Sequence, residues 1–146
     1  MSNSVHKPLS RQAVIELLSR HGVQPTQQRV QIGLVMFEKD RHLSAEDVLS
    51  LLNRSKARVS KATVYNTLGL FVEKGLIRQV IVDPARIFYD PNLRPHHHFY
   101  HVDSGELEDV DAERFEINQL PELPMGTVAE GVDVIIRVRR RNTATH

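Results

Sequence analysis

Cysteine is absent from the 146 residues. That removes disulfides, thiolate metal sites and cysteine nucleophiles together. No apolar run approaches the roughly 20 residues that a bilayer span needs, and the opening MSNSVHKPLSRQ has no hydrophobic stretch of the signal-peptide kind. A soluble, cytoplasmic protein with no membrane partner is expected. There is no glycine-rich phosphate loop, HExxH helix or GxSxG elbow. An enzyme is therefore not expected; metal-assisted hydrolysis by histidines is the one catalytic chemistry left open.

Net charge is also scarce, at +1, but the balance is uneven. Through Val80 there are twelve Lys and Arg against six Asp and Glu, a balance of +6. From Ile81 there are seven against twelve, a balance of −5. A basic half suits a polyanion. An acidic, histidine-rich half suits cations or a partner surface. The length allows one domain or two very small ones.

The basic half reads as four short helices. Ser10, Thr26, Ser44 and Ser60 each stand where an N-cap belongs. Behind them, Val14, Leu17 and Leu18, then Val30, Leu34 and Phe37, then Val48, Leu51 and Leu52, then Val64, Leu68, Phe71 and Val72 recur at helical spacing. Gly22 and Gly75 fall where helices end. "LIRQVIV", "DPAR" and "IFYD" then read as strand, turn and strand. Helices followed by a hairpin make a winged helix-turn-helix, with the fourth helix in the major groove. After the proline-bounded "PNLRP", "HHFYHVD" and "ELEDVD" read as strands turning at Ser104-Gly105, "AERFEINQL" as a short helix and "GVDVIIRVRR" as a last strand. The expected class is α+β: an N-terminal winged helix-turn-helix domain over 1–90, a hinge over 91–95, and a C-terminal α/β domain over 96–146.

The start of the fourth helix gathers Ser60, Lys61, Thr63, Tyr65, Asn66 and Thr67 away from its apolar stripe. Recognition helices reach base edges with such N-terminal residues. Asn66 can bond twice to an adenine, and Tyr65 can pack on a thymine methyl. Lys61, Lys56, Arg58 and Arg20 can neutralise phosphates. The competing reading is an amphipathic helix with a solvated polar face.

"PHHHFYHVDSGE", from Pro95 to Glu106, places four histidines within six residues. In an extended strand, His96 and His98 share one face, and His97 and His101 share the other. Two histidines two apart can converge on one cation. Imidazole suits zinc, iron, manganese and haem iron, and carboxylates complete a harder site. Asp109 on the next strand, Glu116 beyond it and His42 before the third helix are candidate partners. A solvated histidine-rich strand is the plain alternative, and a pH switch a lesser one.

"GVQPTQQR", "HLSAEDV", "ATVYNTL", "GLIRQ" and "HHHFYHVDSGELEDVD", in that order, resemble the motifs of the ferric uptake regulator family over roughly Gly22 to Glu116. The resemblance implies a homodimer, or a tetramer on DNA, with a winged-helix domain and a C-terminal dimerisation domain. It also implies double-stranded operator DNA as partner. The family's regulatory metal site falls on His42, His96, His98 and Asp109. A further carboxylate falls at Tyr89, with Asp90 adjacent, and either position can serve. A second site maps partly onto His97 and Glu116, but Pro95 replaces one of its histidines and none lies near Val132. The family's cysteine-ligated structural zinc is not expected, since His101 and Ser104 replace its first CxxC pair. Asn66 stands where iron-uptake regulators usually carry arginine. The HHH run and "ATVYNTLGLF" look most like the iron response regulator subfamily of alphaproteobacteria. That likeness implies haem bound through His96, His97, His98 and His42, besides divalent Fe, Mn or Zn. The peroxide regulator subfamily is the alternative.

Overall fold

Ser10, Thr26, Ser44 and Ser60 each accept a hydrogen bond from the backbone N–H three residues on. They open helices α1 (Arg11–Arg20), α2 (Gln27–Met36), α3 (Ala45–Arg54) and α4 (Lys61–Glu73). This computed structural model describes residues 8–114, 116–117 and 119–142. At α3 the cap is reciprocal, with the Asp47 carboxylate accepting the Ser44 N–H at 3.0 Å. Gly22 and Gly75 stop α1 and α4 in the left-handed region, at φ +74° and +76°. Lys56 does the same after α3 at φ +62°.

The chain divides into two units, Met1–Leu93 and Arg94–His146. In the first, α2 packs against α1, α3 and α4. That surround explains why Ile32 and Met36 are buried beside the expected Val30 and Phe37. At Gly33 α2 comes close to α1: a Cβ there would stand 2.8 Å from Val14 Cγ1. Val14, Leu18, Val48, Leu52, Val64, Leu68 and Phe71 complete the core. Strands β1 (Arg78–Asp83) and β2 (Arg86–Asp90) form an antiparallel hairpin, the wing. The Asp83 carboxylate accepts the Ala85 N–H at 2.8 Å and shapes its turn. Leu43, just before α3, makes an antiparallel bridge to Tyr89 in β2.

The second unit is a three-stranded sheet in the order β4-β3-β5, from β3 (His96–His101), β4 (Glu106–Asp111) and β5 (Ile135–Val138). The β3–β4 pair is antiparallel and places His98 opposite Asp109; the β3–β5 pair is parallel. Gly105, at φ +79°, closes the β3–β4 turn. The helix expected over "AERFEINQL" is reduced to a 3-10 turn at Ala112–Arg114. Residues 116–117 and 119–120 are not helical, and Phe115 and Asn118 lie outside the described residues. Ile117 and Leu120 are exposed, so among the described residues of this chain they lack the tertiary packing that holds a short helix in place. The end of the basic tail, 143–146, also lies outside the described residues.

Candidate metal centre and nucleic-acid interface

In the second unit, strand alternation puts His96 and His98 on one face of β3, and pairing with β4 brings Asp109 to them. Nε2 of His96 lies 3.3 Å and Nε2 of His98 lies 3.4 Å from the same oxygen, Oδ1 of Asp109. The two rings meet edge to face with centroids 4.6 Å apart. Nδ1–H of His96 donates to the Arg94 carbonyl at 2.5 Å. A ring so held presents its Nε2 as the ligand nitrogen, the usual outer-shell device of metal-binding histidines. Two imidazole nitrogens and a carboxylate oxygen thus converge, the donor types that a divalent cation takes. Neighbouring donors about 3.3 Å apart are also what a metal with bonds near 2.1 Å requires. The donors present therefore fit a divalent ion of the zinc, iron or manganese type.

The first unit carries a second donor pair. The Leu43–Tyr89 bridge sets their neighbours, His42 and Asp90, side by side, with His42 Nε2 3.1 Å from Asp90 Oδ2. Asp90 is buried, and its other oxygen accepts the Asn92 N–H at 2.9 Å. At the position left open between Tyr89 and Asp90, the carboxylate beside His42 is Asp90. Tyr89 belongs to the hydrophobic core, where burial pushes its phenol above its ordinary pKa.

The opposite face of β3 behaves differently. Nδ1 of His97 accepts the Val134 N–H at 3.1 Å, which commits that nitrogen to the sheet. Glu116 is exposed, and among the described residues no group of three donors includes it or His97. The second site suggested by resemblance is thus not assembled there. His101 faces Glu108, its Nε2 2.8 Å from the carboxylate.

Of the residues expected at a DNA surface, Arg20, Lys56, Arg58, Ser60, Lys61, Tyr65 and Asn66 are exposed and Thr63 is half-buried. Thr67 is buried and leaves the reading surface, because it falls beside Val64, Leu68 and Phe71 on the packed side of α4. The Ser60 hydroxyl caps Thr63, so its oxygen is partly committed to the helix. Lys56, Arg58 and Ser60 border a cleft of about 720 Å³ with Gln28 and Asn53, two residues that sequence pattern did not single out.

Glu46 was also missed. It lies in the first turn of α3 and accepts the Tyr65 hydroxyl proton with both oxygens, at 2.8 and 2.7 Å. Lys61 Nζ stands 3.4 Å from the same carboxylate and 5.9 Å from the centre of the Tyr65 ring. The Tyr65 hydrogen bond, helped by Lys61 and opposed by partial desolvation, holds the Glu46 carboxyl below its ordinary pKa. The same bond pushes the Tyr65 phenol up. No pattern in the sequence links residues 19 positions apart on different helices.

Among the described residues no helix is long and apolar enough to cross a membrane. The ferric uptake regulator family model matches residues 20–126. A ferric uptake regulation protein of Haemophilus ducreyi is 32% identical over 106 residues, covering 68% of this chain and 71% of that protein. A peroxide-responsive repressor of Staphylococcus aureus is 26% identical over 109 residues, covering 75% and 72%. The structure of the ferric uptake regulator of Pseudomonas aeruginosa with manganese superposes with a TM-score of 0.65 at 26% identity, covering 87% of this chain and 97% of that one. The α+β architecture, a winged helix followed by a dimerisation domain, is that of these proteins. The chain belongs to the ferric uptake regulator family, and is accordingly a metal-responsive transcriptional regulator and not an enzyme.

Proposed function

We propose that this protein is a cytoplasmic, homodimeric repressor of iron homeostasis whose affinity for operator DNA is set by one divalent ion. The ion is iron, manganese or zinc, and its ligands are His42, Asp90, His96, His98 and Asp109. The observation that carries this reading is the convergence of His96 and His98 on one oxygen of Asp109, with the His96 ring locked through Nδ1. The Pseudomonas relative in complex with manganese supports the class of ion.

In this reading residues 1–90 bind DNA, 91–95 are the hinge and 96–146 dimerise and sense. Only residues 91–95 separate Asp90 from His96, so the chain itself tethers the two donor sets within about 20 Å. His42 and Asp90, engaged together with the β3–β4 set, would tie the reading unit to the sensing unit and bias the spacing of two reading heads. Lys56, Arg58, Arg20 and Lys61 contact phosphates, while Tyr65 and Asn66 meet bases. The test is the metal content of the purified protein, followed by duplex binding titrated with salt, with and without each ion. Phosphate contacts impose a steep salt slope; a flat response would sink the DNA reading.

Two finer readings have their own tests. Haem bound through the histidine run, as in the iron response regulator subfamily, expects a Soret band that substituting His96, His97 and His98 by alanine weakens. Equal haem binding by that triple variant removes this reading. Peroxide sensing is favoured by the Staphylococcus relative and by Asp109 in the donor set. It expects an added oxygen on His42 or His96 after treatment with iron and peroxide, and an unchanged intact mass excludes it.

A further inference from the structure

We infer that Glu46 is a specificity-determining residue of the DNA-reading surface, fixing the Tyr65 ring against bases and weakening binding to unrelated duplex. The inference rests on the DNA-reading role of α4 proposed above. Tyr65 has one hydroxyl proton, and both oxygens of Glu46 share it at 2.8 and 2.7 Å. Hydrogen bonds to an ionised acceptor are the strong ones. The hydroxyl therefore cannot donate to a base while this contact holds, and Tyr65 is left to read with its ring. The residue is 42% exposed, and a cleft of about 410 Å³ lies beside it, bordered by Ala45 and by Pro84 and Arg86 of the wing. A ring edge beside such a cleft suits an apolar contact with a thymine methyl.

The carboxylate has a second effect. Lys61, 3.4 Å from Glu46, also stands 5.9 Å from the centre of the Tyr65 ring, and Glu46 offsets its charge where a duplex would dock. Phosphates that approach without the compensating base contacts meet a like charge. Specificity is a difference of affinities, and a repulsive group widens it. One carboxylate thus orders the reader and opposes indiscriminate docking.

The experiment is selection from a randomised duplex pool by the full-length protein in manganese, with the bound fraction sequenced. Wild type is compared with Glu46→Ala, Glu46→Gln, Tyr65→Phe and Glu46→Ala/Tyr65→Phe. Glutamine keeps an acceptor for the hydroxyl but removes the charge, so Glu46→Gln should bind more of the pool and lose clearly less enrichment than Glu46→Ala. Glu46→Ala should also bind more of the pool but lose about five-fold in enrichment, the order of one weakened base contact. Tyr65→Phe should lose a similar factor. The double variant should lose no more than either single one, because both break the same contact. Unchanged enrichment in Glu46→Ala, equal losses in Glu46→Gln and Glu46→Ala, or multiplying losses in the double variant would each overturn the inference. If wild type enriches no sequence, the DNA reading itself falls, a result distinct from those.

Discussion

Nε2 of His42 stands 3.1 Å from an oxygen of Asp90 because their neighbours, Leu43 and Tyr89, are paired backbone to backbone. Two backbone bonds, at 3.0 and 2.7 Å, hold that bridge. The pair is therefore positioned by the fold and needs no ion to assemble it. Asp90→Asn keeps the size of the side chain and the acceptor for the Asn92 N–H, but loses the charge. We expect manganese affinity to fall by at least roughly 10–100-fold, the loss that substituting even an outer-shell partner causes, with little change in far-UV circular dichroism, measured by competition with a metal-binding indicator. Wild-type affinity in this variant would remove Asp90 from the ligand set.

Asp109 serves two histidines through one oxygen, so its loss should disconnect both. An ion that binds only the folded protein stabilises it by about 2.7 kcal/mol at 100 times its Kd. Manganese should therefore raise the Tm of wild type by several degrees, and excess chelator should reverse the rise. Asp109→Asn should show little of it. An equal rise in the variant would place the ion elsewhere.

Lys56 occupies a left-handed position at the end of α3, where its N–H bonds the Asn53 carbonyl and the Ala57 N–H bonds that of Leu52. Gly22 and Gly75 fill the equivalent place after α1 and α4. A non-glycine residue there costs about 1 kcal/mol. Lys56→Gly should accordingly gain about 0.5–1 kcal/mol in denaturant unfolding, offset in part by the greater freedom of the unfolded chain. If Lys56 contacts a phosphate, the same variant should bind duplex more weakly and reduce the salt slope by about one. Unchanged DNA binding would remove Lys56 from the interface.

Gly33 lies inside α2, where glycine is a poor helix former. Its reason is the Val14 methyl, 2.8 Å from where a Cβ would stand. Val14 is stiff at its branch point and fully buried, so it has little room to move. Gly33→Ala should destabilise the protein by about 1–3 kcal/mol despite the gain in helix propensity, read from the urea midpoint. A stabilised variant would show that α1 and α2 can separate without cost.

What was legible in the chain was local. Four caps sat at fixed offsets from apolar stripes, and the two-residue spacing of His96 and His98 placed them on one face of a strand. Non-local pairing was not legible. Choosing Asp90 over Tyr89 needed the bridge from Leu43, 46 positions away. Nothing in the sequence singled out Glu46, because its partner Tyr65 lies 19 positions on, on another helix. Thr67 looked like a surface residue until the packing around α4 covered it. The helix expected after β4 differs for the opposite reason: its pattern was local, but among the described residues Ile117 and Leu120 are left exposed. His97 belonged to the same histidine run as its neighbours, yet alternation turned it to the face where Val134 takes up its Nδ1.

The most direct test of a metal-controlled DNA regulator uses a duplex recovered from the randomised pool. Its affinity for chelator-stripped and manganese-loaded protein is measured by fluorescence anisotropy at fixed salt, for wild type and His98→Ala. The prediction is a difference of at least about five-fold between the two wild-type states, the lower end of ordinary coupling between sites, and none in His98→Ala. Equal affinities of stripped and loaded wild type, with manganese shown to be bound, would contradict it.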